Sequence, residues 1–185
     1  MNKEKEICVK VLDDFDTIKN KLFDLGFKVQ EDFYLEDIYF VKKEESLNKD
    51  NIDKLLSDYI LLRNRVGKEY LFTIKRKESL SVKSIKCPIK DFALGYKFLE
   101  ELGYKKILEL KDHNVLFTND KNEIYVQDVD NLGVYIEMEQ KNLKLENNNG
   151  DTIDEMINNL NSYHFNIDKS NYFKKKAYDM LSQNI

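Results

Sequence analysis

Several short stretches of the chain set charged side chains two residues apart. Glu4, Glu6, Cys8 and Lys10 are spaced in this way in Lys3 to Leu12, and Arg63 and Arg65 in Tyr59 to Val66. Thr73 and Lys75 follow in Tyr70 to Lys77, Glu109, Lys111 and His113 in Lys106 to Thr118, and Glu137 and Glu139 in Val134 to Gln140. Side chains alternate across a strand, so each set shares one face while Ile7, Val9 and Val11, or Val134, Ile136 and Met138, share the other. Taken singly, each charged face reads as solvated surface. Taken together they form a basic set, Lys10, Arg63, Arg65, Thr73, Lys75 and Lys111, and an acidic set, Glu4, Glu6, Glu137 and Glu139. Cations gathered inside a sheet need an anion to neutralise them, and a polyphosphate would do so. Carboxylates beside that anion would repel it unless a hard divalent cation, Mg²⁺ or Mn²⁺, bridged the two.

The elements that must position these residues follow from the pattern. Asp13 and Asp14 can cap a helix on which Ile18, Leu22 and Leu25 recur at helical spacing up to Gly26. Strands are expected from Phe27 to Val29 or beyond, over Asp37 to Val41, and over Tyr59 to Val66 and Tyr70 to Lys77, the last two joined as a hairpin at Gly67. Lys42 to Ser57 is polar and reads as a long loop with one helical turn at Ile52 to Leu56. Val82 to Lys90 is a strand interrupted by Pro88, and Asp91 caps a helix through Leu102. Long extended runs then cover Lys106 to Thr118, Glu123 to Asp128 and Val134 to Gln140. Thr152 to Leu160 and Ser170 to Leu181 read as helices, with Lys174, Lys175 and Lys176 on a solvated face and His164 at the surface. The fold class is therefore α+β, an antiparallel eight-stranded closed or nearly closed β-barrel with flanking helices, its lumen a tunnel.

Composition narrows the function classes. A chain of 185 residues is long enough for one domain with a real core. Its 30 basic and 34 acidic residues nearly cancel, giving a net charge of -4, so no nucleic-acid partner is expected and any anion site must be local. Two cysteines make no disulfide framework, no apolar run approaches a membrane span, and Met1 is followed by charges rather than a signal-peptide core. A cytoplasmic protein without a membrane partner is expected.

In order and spacing, these motifs resemble the CYTH domain, the fold of class IV adenylate cyclases, thiamine triphosphatases and inorganic triphosphatases, also called triphosphate tunnel metalloenzymes. Glu6-Ile7-Cys8-Val9-Lys10 resembles the family's Glu-x-Glu-x-Lys, and Asp37-Ile38-Tyr39-Phe40 its Asp-Thr-Tyr-Phe. Leu62-Arg63-Asn64-Arg65 resembles Leu-Arg-x-Arg, Phe72-Thr73-Ile74-Lys75 Leu-Thr-x-Lys, and Leu132 to Glu139 Leu-Gly-x-Phe-x-Glu-x-Glu, while Lys169-Ser170-Asn171-Tyr172 is loosely similar to the closing Lys-Ser-Tyr. The resemblance covers nearly the whole chain, residues 1–185, as a single domain, and the Asp-x-Tyr-Phe segment leans towards the cyclase branch. Three positions depart from the pattern: Cys8 replaces a glutamate, Gln127 an aspartate and His113 an arginine. The family's Arg-x-Glu is not recognisable around Ser84 and Lys86.

The resemblance implies that Lys10, Arg63, Arg65, Lys75, Lys111 and His113 bind substrate phosphates, and that Glu6, Glu137 and Glu139, with Glu4, hold Mg²⁺ or Mn²⁺. It implies a metal-dependent enzyme acting on a nucleoside or organic triphosphate, a cyclase or a triphosphatase. The alternative is a catalytically impaired protein that binds a triphosphate through its basic side. A small-molecule triphosphate is the expected partner, and a homodimer is left open.

Overall fold

The computed structural model describes residues 6–78, 81–119, 122–139 and 152–185. Glu4 lies outside these residues. The eight strands are β1 (Glu6–Lys10), β2 (Lys28–Lys42), β3 (Asp58–Arg65), β4 (Glu69–Glu78), β5 (Ser81–Ile89), β6 (Tyr104–Thr118), β7 (Glu123–Val129) and β8 (Gly133–Glu139). They join in the order β1-β8-β7-β6-β2-β3-β4-β5 as one antiparallel sheet. Among the described residues five helices accompany it: α1 (Phe15–Asp24), α2 (Ile52–Leu55), α3 (Phe92–Glu101), α4 (Thr152–Ser162) and α5 (Lys176–Gln183). The α+β class and the eight-stranded antiparallel sheet agree with the expected fold class. Among the described residues no ladder joins β1 to β5, so hydrogen bonds do not close the sheet into a barrel.

By its contacts the chain forms two compact units, residues 1–33 with 113–175, and residues 34–112 with 176–185. The core of the first is built from the apolar sides of β1, β7 and β8: Ile7, Val9, Ile124, Val126, Val134, Ile136 and Met138 are buried with Ile18 and Leu22 of α1 and Met156 and Leu160 of α4. Asp14 starts α1 by accepting the Thr17 amide hydrogen at 2.8 Å, and Gly26 ends it at φ +81°, a conformation that costs glycine little. The core of the second unit places Ile38, Phe40 and Leu62 against Leu99 of α3. Gly95 allows that close approach, because a Cβ there would lie 2.6 Å from Ile89 Cδ1.

Two expected elements differ. Asp37 to Val41 is not a separate strand but the buried end of β2, which begins at Lys28 and stays extended through the polar stretch Gln30-Glu31-Asp32. A strand can be exposed on both faces for part of its length, so polarity did not mark a break. The helix expected over Ser170 to Leu181 begins only at Lys176. The preceding chain instead covers the outer edge of β1: the Cys8 amide donates to the Tyr172 carbonyl and the Lys174 amide to the Cys8 carbonyl, both at 2.9 Å, while the Asp168 amide donates to the Lys10 carbonyl. An exposed strand edge leaves a row of unmet donors and acceptors, and pairing here satisfies them where helix formation would not.

Candidate functional site

In the first unit, the polar face of β1 meets that of β8 in register. Glu6 stands opposite Glu139, Cys8 opposite Glu137 and Lys10 opposite Tyr135. One oxygen from each of Glu6, Glu137 and Glu139 lies within 4.8 Å of the others. Tyr125 of β7 also faces Glu137 in register. Gln127, which is 6% exposed, donates through Nε2 to Glu137 Oε2 at 3.3 Å, and its buried Oε1 has no hydrogen-bond partner among the described residues. Lys10 Nζ lies 5.9 Å from the centroid of the buried Tyr135 ring. Three carboxylates at such separation repel one another unless a cation or protons offset their charge. Their hard oxygens, with the unmet carbonyl of Gln127 nearby, suit Mg²⁺ or Mn²⁺ better than a soft metal.

In the second unit, Arg63 and Arg65 share one face of β3. Asp37 is opposite Arg63 on β2, and on β4 Thr73 is opposite Leu61 and Lys75 opposite Tyr59. Arg63 donates from Nε to Asp37 Oδ1 at 2.7 Å and from Nη2 to Asp37 Oδ2 at 2.6 Å, a bidentate pair. The Asp37 side chain is 6% exposed and that of Arg63 31%. Burial works against the guanidinium charge, but the charge and hydrogen bonds of Asp37 outweigh it and hold Arg63 above its already high value. Burial, with smaller contributions from Tyr59 and Asp37, holds the Tyr39 phenol protonated well above the usual tyrosine range, and its ring stacks on Tyr59 at 5.0 Å.

Asp112, buried, accepts from Lys176 Nζ at 2.5 Å. This corrects the reading of Lys176 as part of a solvated helix face. Its side chain is 16% exposed and gives the buried Asp112 carboxylate a cationic partner.

Lys111 and His113 fall on the side of β6 opposite Asp112 and Asn114. That side carries the exposed Glu109 at one end and the buried Val115 and Phe117 of the first unit's core at the other. Lys111 Nζ lies 3.6 Å from Glu36 Oε1 and 3.8 Å from Glu109 Oε1. His113 Nε2 is 2.7 Å from Asp32 Oδ1, and its ring centroid lies 5.0 Å from that of Phe15.

The structure thus brings Glu6, Glu137 and Glu139 together, sets Arg63, Arg65 and Lys75 on one face of the second unit, and places Lys111 and His113 against surface carboxylates. The sequence reading missed the roles of Asp37, Asp112 and Lys176. The signal for Asp37 was an acidic residue among the buried aromatics of Asp37-Ile38-Tyr39-Phe40. Lys176 carried none, since three consecutive lysines look alike in sequence.

Neither a protein-family model nor a curated protein sequence matches the chain. Solved structures do share its fold. A candidate adenylate cyclase from Vibrio parahaemolyticus is 16% identical, with 98% of each chain covered and a TM-score of 0.69. A Pyrococcus horikoshii protein is 19% identical over 98% of this chain and 99% of its own, with a TM-score of 0.68. A candidate adenylate cyclase from Bacillus halodurans is 14% identical over 95% of each chain, with a TM-score of 0.60. The chain thus shares its fold with proteins that include two candidate adenylate cyclases.

Proposed function

We propose that residues 1–185 form one CYTH-like domain that acts as a metal-dependent enzyme on a nucleoside or organic triphosphate. The observation that carries this reading is the convergence of Glu6, Glu137 and Glu139, whose oxygens lie within 4.8 Å of one another. The fold shared with two candidate adenylate cyclases supports it. Glu6, Glu137 and Glu139 would hold Mg²⁺ or Mn²⁺, which when bound neutralises charge on phosphate oxygens. Within the first unit Lys10, and within the second Arg63, Arg65 and Lys75, are the phosphate-binding candidates, Arg63 with the directional donors of its planar fork and the lysines as point charges. Lys111 and His113, which face Glu36, Glu109 and Asp32, are not assigned that role.

A second reading, triphosphate binding without turnover, is favoured by Gln127 and Cys8. Both flank Glu137 where the family pattern has carboxylates, and Gln127 donates to Glu137. Incubation with ATP or tripolyphosphate in Mn²⁺, Mg²⁺ or EDTA separates the two. Metal-dependent release of pyrophosphate with a cyclic nucleotide, or of orthophosphate, supports the enzyme; binding with unchanged substrate supports the binder.

A further inference from the structure

Arg63 is held by its side edge. Nε and Nη2 both donate to Asp37, so the carboxylate occupies the flank of the guanidinium nearest the backbone. Nη1 has no hydrogen-bond partner among the described residues, and the Arg63 side chain keeps 31% of its exposure while that of Asp37 keeps 6%. The carboxylate is therefore the more deeply buried partner, and it leaves the Nη1 edge of the fork unused. A bidentate grip of this kind fixes the guanidinium plane and costs its partner little further side-chain entropy when a ligand arrives. Tyr39, buried and two residues along the same face of β2, packs by its ring on Tyr59.

We propose that Asp37 is a positioning residue for phosphate recognition, aiming the Nη1 edge of Arg63 at a triphosphate oxygen; this rests on the triphosphate reading above. Asp37 is not a competitor that the ligand must displace. A phosphate oxygen meeting Nη1 leaves both Asp37 bonds in place, and Arg63 contributes direction rather than net charge, since Asp37 already balances it.

The test is a double-mutant cycle read by calorimetric binding of tripolyphosphate. Arg63→Ala is expected to weaken binding about tenfold to a hundredfold, the worth of a charged hydrogen bond. Asp37→Asn, which keeps the shape but sets an amide hydrogen against Nη2, is expected to weaken it about tenfold with Arg63 present. In the Arg63→Ala background Asp37→Asn is expected to cost nothing further, which a purely structural role would not produce. Equal losses in both backgrounds overturn the proposal, as does tighter binding by Asp37→Asn, which would make Asp37 a competitor. If Asp37→Asn does not fold, side-chain ¹⁵N spectra of the wild type decide. The Arg63 Nε–Hε signal is expected to hold its shift while the Nη signals move on adding tripolyphosphate, and loss of the Nε–Hε signal overturns the proposal. Wild-type protein that binds no tripolyphosphate refutes the triphosphate reading itself, whereas binding with an additive cycle refutes only the role of Asp37.

Discussion

Replacing Lys176 with methionine keeps the length of the stem and removes the charge that faces Asp112. The Asp112 side chain is 3% exposed and that of Lys176 is 16% exposed, so the pair is buried from both ends. Breaking a buried pair on one side typically costs about 3–5 kcal/mol, because a charge is left in a poorly solvated place. The residual exposure of Lys176 puts the expected loss near the lower bound, about 3 kcal/mol. For a chain of this size that is a fall in Tm of about 6–12 °C. Calorimetry and urea unfolding measure it directly. Removing both charges in Lys176→Met with Asp112→Asn should recover more than half of the loss, since neither buried charge then remains. A Lys176→Met protein within about 0.5 kcal/mol of wild type would refute the reasoning and return Lys176 to the solvated face the sequence pattern gave it. So would a double variant that loses the sum of the two single losses.

Hydrogen bonds from Lys21 and Asn166 hold the Asp13 carboxyl below its ordinary value of 3.8, and bonds from Ser170 hold Asp168 below it as well. A depressed folded value stabilises the protein above the unfolded value and is lost as pH falls through the folded one. Asp13→Asn should therefore lower Tm at neutral pH and flatten its fall below about pH 4, so that the difference from wild type vanishes in acid; unchanged acid dependence would contradict this. Tyr39→Phe should leave the ultraviolet titration of the tyrosines unchanged between about pH 9 and 11, because burial keeps Tyr39 protonated there; loss of one titrating phenol would count against that burial. Phe40→Ala, at a fully buried position in the second unit's core, should cost about 3–5 kcal/mol in urea unfolding, and a loss under about 1 kcal/mol would place the core elsewhere. Restoring carboxylates around Glu137 with Cys8→Glu and Gln127→Asp should raise turnover at limiting Mn²⁺, and unchanged rates would exclude both positions from the metal site.

Much of this arrangement was legible because strand alternation is a local rule. Ile7 and Val9 had to be buried together, and so Glu6 and Cys8 had to share the opposite face; the same logic aligned Glu137 with Glu139. The register that sets Glu6 opposite Glu139 was not legible, since pairing between residues so far apart in sequence depends on the whole sheet. Alternation also separated Lys111 from Asp112, but which side of β6 would pack on the helices depended on α1 and α4. Lys176 was misread because its environment is set by Asp112, sixty-four positions earlier. The chain from Asn166 to Lys174 was read as partly helical because the unmet edge of β1 is invisible in local periodicity.

The central claim is that this fold and its acidic cluster carry out metal-dependent chemistry on a triphosphate. ³¹P NMR tests it most directly, on the purified protein with ATP, thiamine triphosphate and tripolyphosphate in turn, first without metal and then with Mg²⁺ or Mn²⁺. The account predicts that at least one of them is converted only when metal is present, and that Glu137→Gln abolishes the conversion. Intact substrate signals with metal present, or conversion at the same rate in Glu137→Gln, would contradict it.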